Sequence, residues 1–366
     1  MYCPHIRNAI RVNQDGNLVP CCEFKGTSEF YVGNWEAYKT SEFLADLETS
    51  FQRGIWPSSC RPCMNKESLG TRSLRQTPTQ GFSVEVAITN VCNSDCGMCG
   101  PDRSSRIASR LKAHPHPEGL LDSMDGFLQA TSPAEKYELE SNGLKDVLEN
   151  AARIKLIGGE PFLVKKIWQT LDELENKDVI LSIITNASVV EPEYLDILKK
   201  FKNVSMMMSA ESTGAQYEYI RNGLNWKTFV GNIPRLISVA KYSMIVSTIS
   251  ALSITGVYNL AKFCYESGID LEFWPVEDPK ILGLQMVSKS IVQDQLAKLG
   301  SLRPSSKRNE ILLSMFKRYL EEVSKTCPDS NDPRLVSYIT YLNHARSGSF
   351  LDPTSLQILD EGLLAK

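Results

Sequence analysis

Three cysteines crowd into one short loop, Cys92-Asn-Ser-Asp-Cys96-Gly-Met-Cys99, directly after the β-branched run 84–90. Thiols this close along a chain cannot all pair with one another as disulfides, so the spacing points to a metal site at the end of a strand. The other cysteines agree with that reading. They stand at 3, 21, 22, 60, 63, 264 and 327, so eight of the ten fall in the first 99 residues, in two groups with short internal gaps. Cys264 and Cys327 stand alone and read as packed, inert thiols.

The loop is the first of a series. Apolar runs 154–157, 179–184, 204–208, 244–249 and 271–275 have strand length and composition. Between them, 165–176, 193–201, 226–240 and 256–266 carry apolar residues at helical spacing. Strands alternating with helices call for a parallel sheet with right-handed crossovers. Six such units predict an α/β fold, an open (β/α)6 partial TIM barrel. The expected division is an N-terminal cysteine-rich module over 1–80, the barrel over 81–290 with an excursion at 100–150, and a helical extension over 291–366, with helices at 306–325 and 333–345. The excursion includes His114-Pro-His-Pro-Glu118.

In such barrels the working groups sit on loops leaving the C-terminal strand ends. Here those ends read three cysteines, then Gly158-Gly159-Glu160, then Thr185-Asn186, then Ser209-Ala-Glu211. Three thiolates can hold three irons of a [4Fe–4S] cube and leave the fourth open. Zinc, the alternative, usually takes a fourth Cys or His close by, and the next histidines are His114 and His116.

The cysteine loop, the strand before it and Gly158-Gly159-Glu160 after the second strand resemble the radical S-adenosylmethionine (SAM) superfamily. The resemblance covers roughly 82–280. It implies that Cys92, Cys96 and Cys99 ligate a [4Fe–4S] cluster, which reduces SAM to release a 5′-deoxyadenosyl radical that takes hydrogen from a substrate. It implies SAM contacts for Gly158, Gly159 and Glu160 at the amino group, and for Thr185, Asn186, Ser209 and Glu211 at the ribose and amino acid part. Arg221 resembles an arginine that pairs with the SAM carboxylate. Ser253 stands where relatives often have Asn, Trp274-Pro275-Val276 resembles the segment near adenine, and Met98 lies within the loop.

The first cysteine group resembles the auxiliary-cluster module called SPASM, or twitch in its short form. Gly16 to Cys21 fits G-x4-C, and Cys60-Arg-Pro-Cys63 fits C-x2-C. The resemblance implies that Cys3, Cys21, Cys60 and Cys63 hold a second [4Fe–4S] cluster, with Cys22 able to exchange with Cys21. A zinc knuckle is the alternative for the same four thiols. In characterised relatives the module follows the barrel; here it precedes it. A closed second cluster implies an electron acceptor, hence an oxidoreductase performing a net oxidation or crosslink. Facing the same rim as the first cluster is the expected placement.

The expected substrate is a peptide or protein side chain, with a small molecule such as an aminosugar or alcohol as the alternative, and a non-catalytic metal-binding interaction protein as a third class. The expected electron donor is of flavodoxin or ferredoxin type. A net charge of −3 and the lack of aromatic-basic patterning argue against nucleic acid. No apolar run reaches membrane-span length, and the first residues lack a signal-peptide pattern, so a cytoplasmic location is expected.

Overall fold

The computed structural model describes residues 1–68, 72–117, 120, 143–276, 279–346 and 350–359. Its centre is an eight-stranded sheet. In chain order the strands are β1 (Ala9–Val12), β2 (Leu18–Val19), β3 (Ser83–Ala87), β4 (Arg153–Ile157), β5 (Ile180–Thr185), β6 (Asn203–Ser209), β7 (Tyr242–Ile249) and β8 (Asp270–Pro275). Strands β3 to β8 lie side by side in sequence order, and every neighbouring pair is parallel. They are the six strands of the expected partial barrel, each within about two residues of the sequence reading.

Alternation explains the layering. Val84, Val86, Ile154, Leu156, Leu181, Ile183, Val204 and Met206 are fully buried and point to the outer face. Helices Lys165–Glu173, Pro192–Leu198, Trp226–Ile237 and Val257–Glu266 supply that face with Trp168, Leu198, Phe229 and Leu260, all fully buried. Each such residue contributes about 1.5–3 kcal/mol of burial. The inward residues between them, among them Glu85, Lys155, Ser182, Ser205 and Met207, are only half-buried. The inward face is polar and accessible around Glu85, Lys155, Ser182 and Ser205, and apolar toward Ile157, Ile184 and Met207.

The sheet exceeds six strands because the N-terminal region joins it. Strand β1 pairs parallel with β3, matching Ala9 to Ser83 and Arg11 to Glu85. Strand β2 returns antiparallel, matching Val19 to Arg11. Helices Glu42–Gln52, Arg61–Ser68, Gly214–Ile220 and Lys289–Gly300 escaped the sequence reading. The expected helices near the end form as Lys307–Ser324 and Pro333–Ala345, capped by Ser306 and Asp332 side chains. Phe316 on the first stacks against Phe273 of β8 with centroids 4.2 Å apart. Within the 100–150 excursion, helices Ser105–Ala113 and Leu144–Glu149 form; Glu118 lies outside the described residues. Among the described residues no helix is long and apolar enough to cross a membrane.

Candidate functional site

The cysteine loop is built at the C-terminal end of β3. Asp95–Cys96 forms a two-residue antiparallel ribbon with Arg221–Asn222. The Ser94 hydroxyl lies 3.3 Å from Cys92 Sγ and 3.2 Å from Cys96 Sγ, and the Cys99 amide donates to the Cys96 carbonyl. Cys96 is buried, Cys92 and Cys99 half-buried. Burial pushes all three thiols up, Cys96 to about 11 even with Arg221 beside it. Free thiols so placed ionise poorly at neutral pH, and ligation to a metal cluster is what makes them thiolates. The donor set fits an iron–sulfur cluster.

Gly158 and Gly159 bring the end of β4 onto that loop. Gly158 has φ +136°, and a Cβ there would stand 2.8 Å from the Thr89 carbonyl oxygen. At Gly159 a Cβ would come 2.2 Å from the Val91 carbonyl oxygen. Only glycine allows this approach. The next amide, that of Glu160, donates to the Val91 carbonyl at 2.9 Å.

The Glu160 carboxylate is fully buried. It accepts from the Thr185 hydroxyl at 2.7 Å, the Asn186 amide at 2.7 Å and the Phe162 amide at 3.1 Å. Burial raises its pKa to about 7 against those three donors. Asn186 continues the chain of contacts: its Nδ2 donates to Asn93 Oδ1 at 2.9 Å and stands 4.0 Å from Cys92 Sγ. Ala187, next in line, is held at φ +55°, a conformation costly for a residue with a Cβ.

Glu211 and Arg221 form a bidentate pair at 2.6 and 2.5 Å, both buried. The remaining guanidinium nitrogen, Nη1, lies 3.9 Å from Cys96 Sγ. Burial disfavours the charge on Arg221, but Glu211 outweighs it and raises the pKa above its ordinary value. Ser209 ends β6, half-buried and opposite Val246. Ser253 is fully buried and spends its hydroxyl in a local turn, donating to the Ser250 carbonyl and accepting from the Ser250 amide. Trp274 is exposed, and Met98 packs against the core.

Sequence reasoning missed what holds the loop from behind. Asp95, inside the motif, is clasped by Arg110 (Nε to Oδ2, 2.7 Å) and Arg346 (Nη2 to Oδ1, 3.2 Å). All three side chains are buried. Burial alone would raise the Asp95 pKa; the charges of Arg346 and Arg110 outweigh it and hold it below the usual range. Helix Pro333–Ala345 adds the Tyr338 hydroxyl, which donates to the Gly97 carbonyl at 2.7 Å. The one sequence signal was an aspartate between two ligand cysteines.

The N-terminal thiols converge elsewhere. Cys3, Cys21, Cys60 and Cys63 line one cavity together with His5, Phe24, Phe51, Leu74 and Arg75. Cys22 does not line it. Burial raises the thiols of Cys3, Cys21 and Cys60, the last to about 12. Four thiols around one cavity supply the donor set of an iron–sulfur cluster or of a zinc ion.

The expectation that this group faces the same rim is corrected by the strand register. Cys3 precedes β1 and Cys21 follows β2, so both lie beside the N-terminal ends of β1 and β3. The Cys92 loop leaves the opposite end of β3. At about 3.3 Å per residue, the length of β3 separates the two levels by roughly 13 Å.

A parallel barrel sheet carries a three-cysteine loop at its C-terminal rim. Residues 86–250 match the family described as the radical SAM superfamily. No curated protein matches the chain in sequence. Among solved structures, native anSMEcpe with bound AdoMet is similar at 12% identity and TM-score 0.43, over 67% of this chain and 63% of that one. SuiB from Streptococcus suis bound to S-adenosylmethionine is similar at 14% identity and TM-score 0.38, over 80% of this chain and 68% of that one. SuiB bound to precursor peptide SuiA gives 13% identity and TM-score 0.36, over 80% and 67%. The match spans less than two thirds of anSMEcpe, and likeness at this level says nothing of substrate or partner here.

Proposed function

We propose that this chain is a radical SAM oxidoreductase whose substrate reaches the inward face of the barrel, between two iron–sulfur sites. The observation that carries this reading is the placement of two separate thiol sets at opposite ends of the same strands, with a polar, accessible face between them. Cys92, Cys96 and Cys99 hold the first cluster; Cys3, Cys21, Cys60 and Cys63 hold the second in a twitch-like module. When bound, these groups would supply the electron chemistry, an electron for reductive SAM cleavage at the first site and an electron acceptor at the second.

The chain's own residues orient and exclude. Asp95, Arg110 and Arg346 fix the ligand loop in one conformation. Glu160 ties the ends of β4 and β5 together, so the Gly158-Gly159 backbone and Asn186 keep fixed positions beside Cys92. These groups, with Thr185 and Ser209, are the proposed SAM contacts. Glu211 aims Arg221 so that one guanidinium nitrogen stays available near Cys96, where a SAM carboxylate can reach it.

The substrate proposed is a peptide or protein side chain, oxidised or crosslinked by loss of two electrons, with a flavodoxin or ferredoxin type protein as reductant. A small molecule is the second reading, favoured by the charged residues on the inward face, Arg11, Glu85 and Lys155.

Anaerobic reconstitution is expected to give about eight irons per chain from two cubane clusters. Replacing Cys92, Cys96 and Cys99 by Ala leaves about four and abolishes 5′-deoxyadenosine formation. Replacing Cys60 and Cys63 by Ala also leaves about four, but uncoupled SAM cleavage continues while product formation stops. Reductive cleavage by the triple variant sinks the reading. Zinc in the N-terminal site of anaerobically purified protein removes the electron acceptor and makes the reaction redox-neutral.

A further inference from the structure

Three adjacent strands build a charged row on the inward face. Arg11 of β1, Glu85 of β3 and Lys155 of β4 share that face. Arg11 stands directly opposite Glu85, and Glu85 directly opposite Lys155, in the strand registers. Arg11 Nη1 pairs with Glu85 Oε1 at 2.7 Å, and Lys155 Nζ with Glu85 Oε2 at 3.1 Å. One carboxylate therefore faces two cations, and the row carries a net charge of +1. Arg11 and Glu85 are 14% exposed, whereas Lys155 is 38% exposed.

Arg11 Nε donates to Asn13 Oδ1 at 2.9 Å and its Nη1 to Glu85. Among the described residues Lys155 makes a single ion pair, to a carboxylate already held by Arg11, and as the more exposed cation it keeps donors for a ligand. Its strand neighbours on the same face are Ser182 of β5, opposite it in register, and then Ser205 of β6. Cys22, exposed and next to the cavity-lining Cys21, lies close enough for Glu85, Lys155 and Arg11 to act on its thiol. The row thus sits between the two thiol sets.

We propose that Lys155 binds an oxyanion of the substrate, a carboxylate or a phosphate, and so anchors it on the inward face between the two cysteine sites. This deepens the reading above, since it assigns the substrate a negative group two residues below the strand end that leads into Gly158. Arg11 and Glu85 act through Lys155: Glu85 offsets part of the positive charge of the row, and Arg11 stops that carboxylate from fully neutralising the Lys155 ammonium. A peptide meets the requirement with an Asp or Glu side chain or a chain terminus, a small molecule with a carboxylate or a phosphate ester.

The test is calorimetric titration of the anaerobically reconstituted full chain with SAM present. The probes are N-acetylglutamic acid amide, its carboxamide counterpart N-acetylglutamine amide, and inorganic phosphate. The acid is expected to bind about tenfold more tightly than the carboxamide, the scale of one charge-assisted hydrogen bond. Lys155→Met removes that preference, Lys155→Arg retains it, and Glu85→Gln enlarges it because the row gains a positive charge. A merely structural role for Glu85 would weaken binding instead, so the opposite signs separate the two. Tighter, Lys155-dependent binding of phosphate supports the site and assigns it to phosphate esters. Equal affinity for acid and carboxamide in the wild type, or an acid preference surviving in Lys155→Met, overturns the proposal. Iron content and 5′-deoxyadenosine release are measured on the same samples. Failure of the anion site leaves both intact, whereas failure of the radical SAM reading abolishes them whatever the probes do.

Discussion

The two thiol sets are held by opposite means. The Cys92 loop is pinned by polar contacts: a buried aspartate between two arginines, a tyrosine hydroxyl on the Gly97 carbonyl, and Arg221 and Asn186 facing the Cys96 and Cys92 sulfurs. The N-terminal cavity is lined by Phe24, Phe51 and Leu74 together with His5, Glu23 and Arg75. A site that must admit and orient a charged cofactor needs directed donors around it. A site that only exchanges electrons needs a low-dielectric wall and no open position. The contrast in scaffolding parallels the proposed contrast in roles.

Asp95→Ala tests the polar half most severely. It leaves two buried guanidinium groups without their carboxylate, a loss of about 3–5 kcal/mol. Chemical denaturation is expected to show that loss, and iron analysis to show depletion from the Cys92 loop with the N-terminal site still filled. Depletion of both sites alike breaks the comparison, because the two scaffolds would then fold as one.

Gly159→Ala comes next. Its Cβ meets the Val91 carbonyl oxygen, so the strand end must move away from the loop, at about 1–3 kcal/mol. Weakened SAM binding with wild-type iron content is the expected result, read by titration of the reconstituted protein. Unchanged SAM affinity would separate Gly159 from the cofactor site.

The smallest effect concerns the wall of the N-terminal cavity. Arg75 is held by Glu67 at 2.5 Å, and hydrogen bonds from Arg75 lower the Glu67 pKa. A depressed carboxylate contributes stability that is fully present above its unfolded pKa, about 4.3, and is lost as pH falls through the lower folded value. Glu67→Gln is expected to cost about 1 kcal/mol at pH 7, with the difference from wild type shrinking below about pH 4. A difference that persists undiminished in acid assigns the effect to packing.

The six barrel strands were legible as short apolar runs between helical segments, with burial alternating along β4, β5 and β6, and the helices between them because their apolar faces repeat within one segment. Helix Lys289–Gly300 was not, since only Val292, Gln295 and Leu299 are buried, with a polar side chain among them. Strand β1 was not, being four residues long with a partner far along the chain. The ligand cysteines and glycines stood out by spacing. The Asp95 clasp could not, because Arg346 lies 251 residues away and no local pattern announces such a contact.

Pairing of β1 with β3 also sets the order in which the molecule can assemble. Arg11 and Glu85 are 74 residues apart, and a contact of that range must wait while local helices form. During synthesis the N-terminal hairpin emerges well before its parallel partner. Until the two pair, β3 has an open edge, the kind of surface on which nascent chains aggregate. Docking of the hairpin closes that edge. The thiol cavity, lined by residues between Cys3 and Arg75, takes none of its wall from the barrel strands.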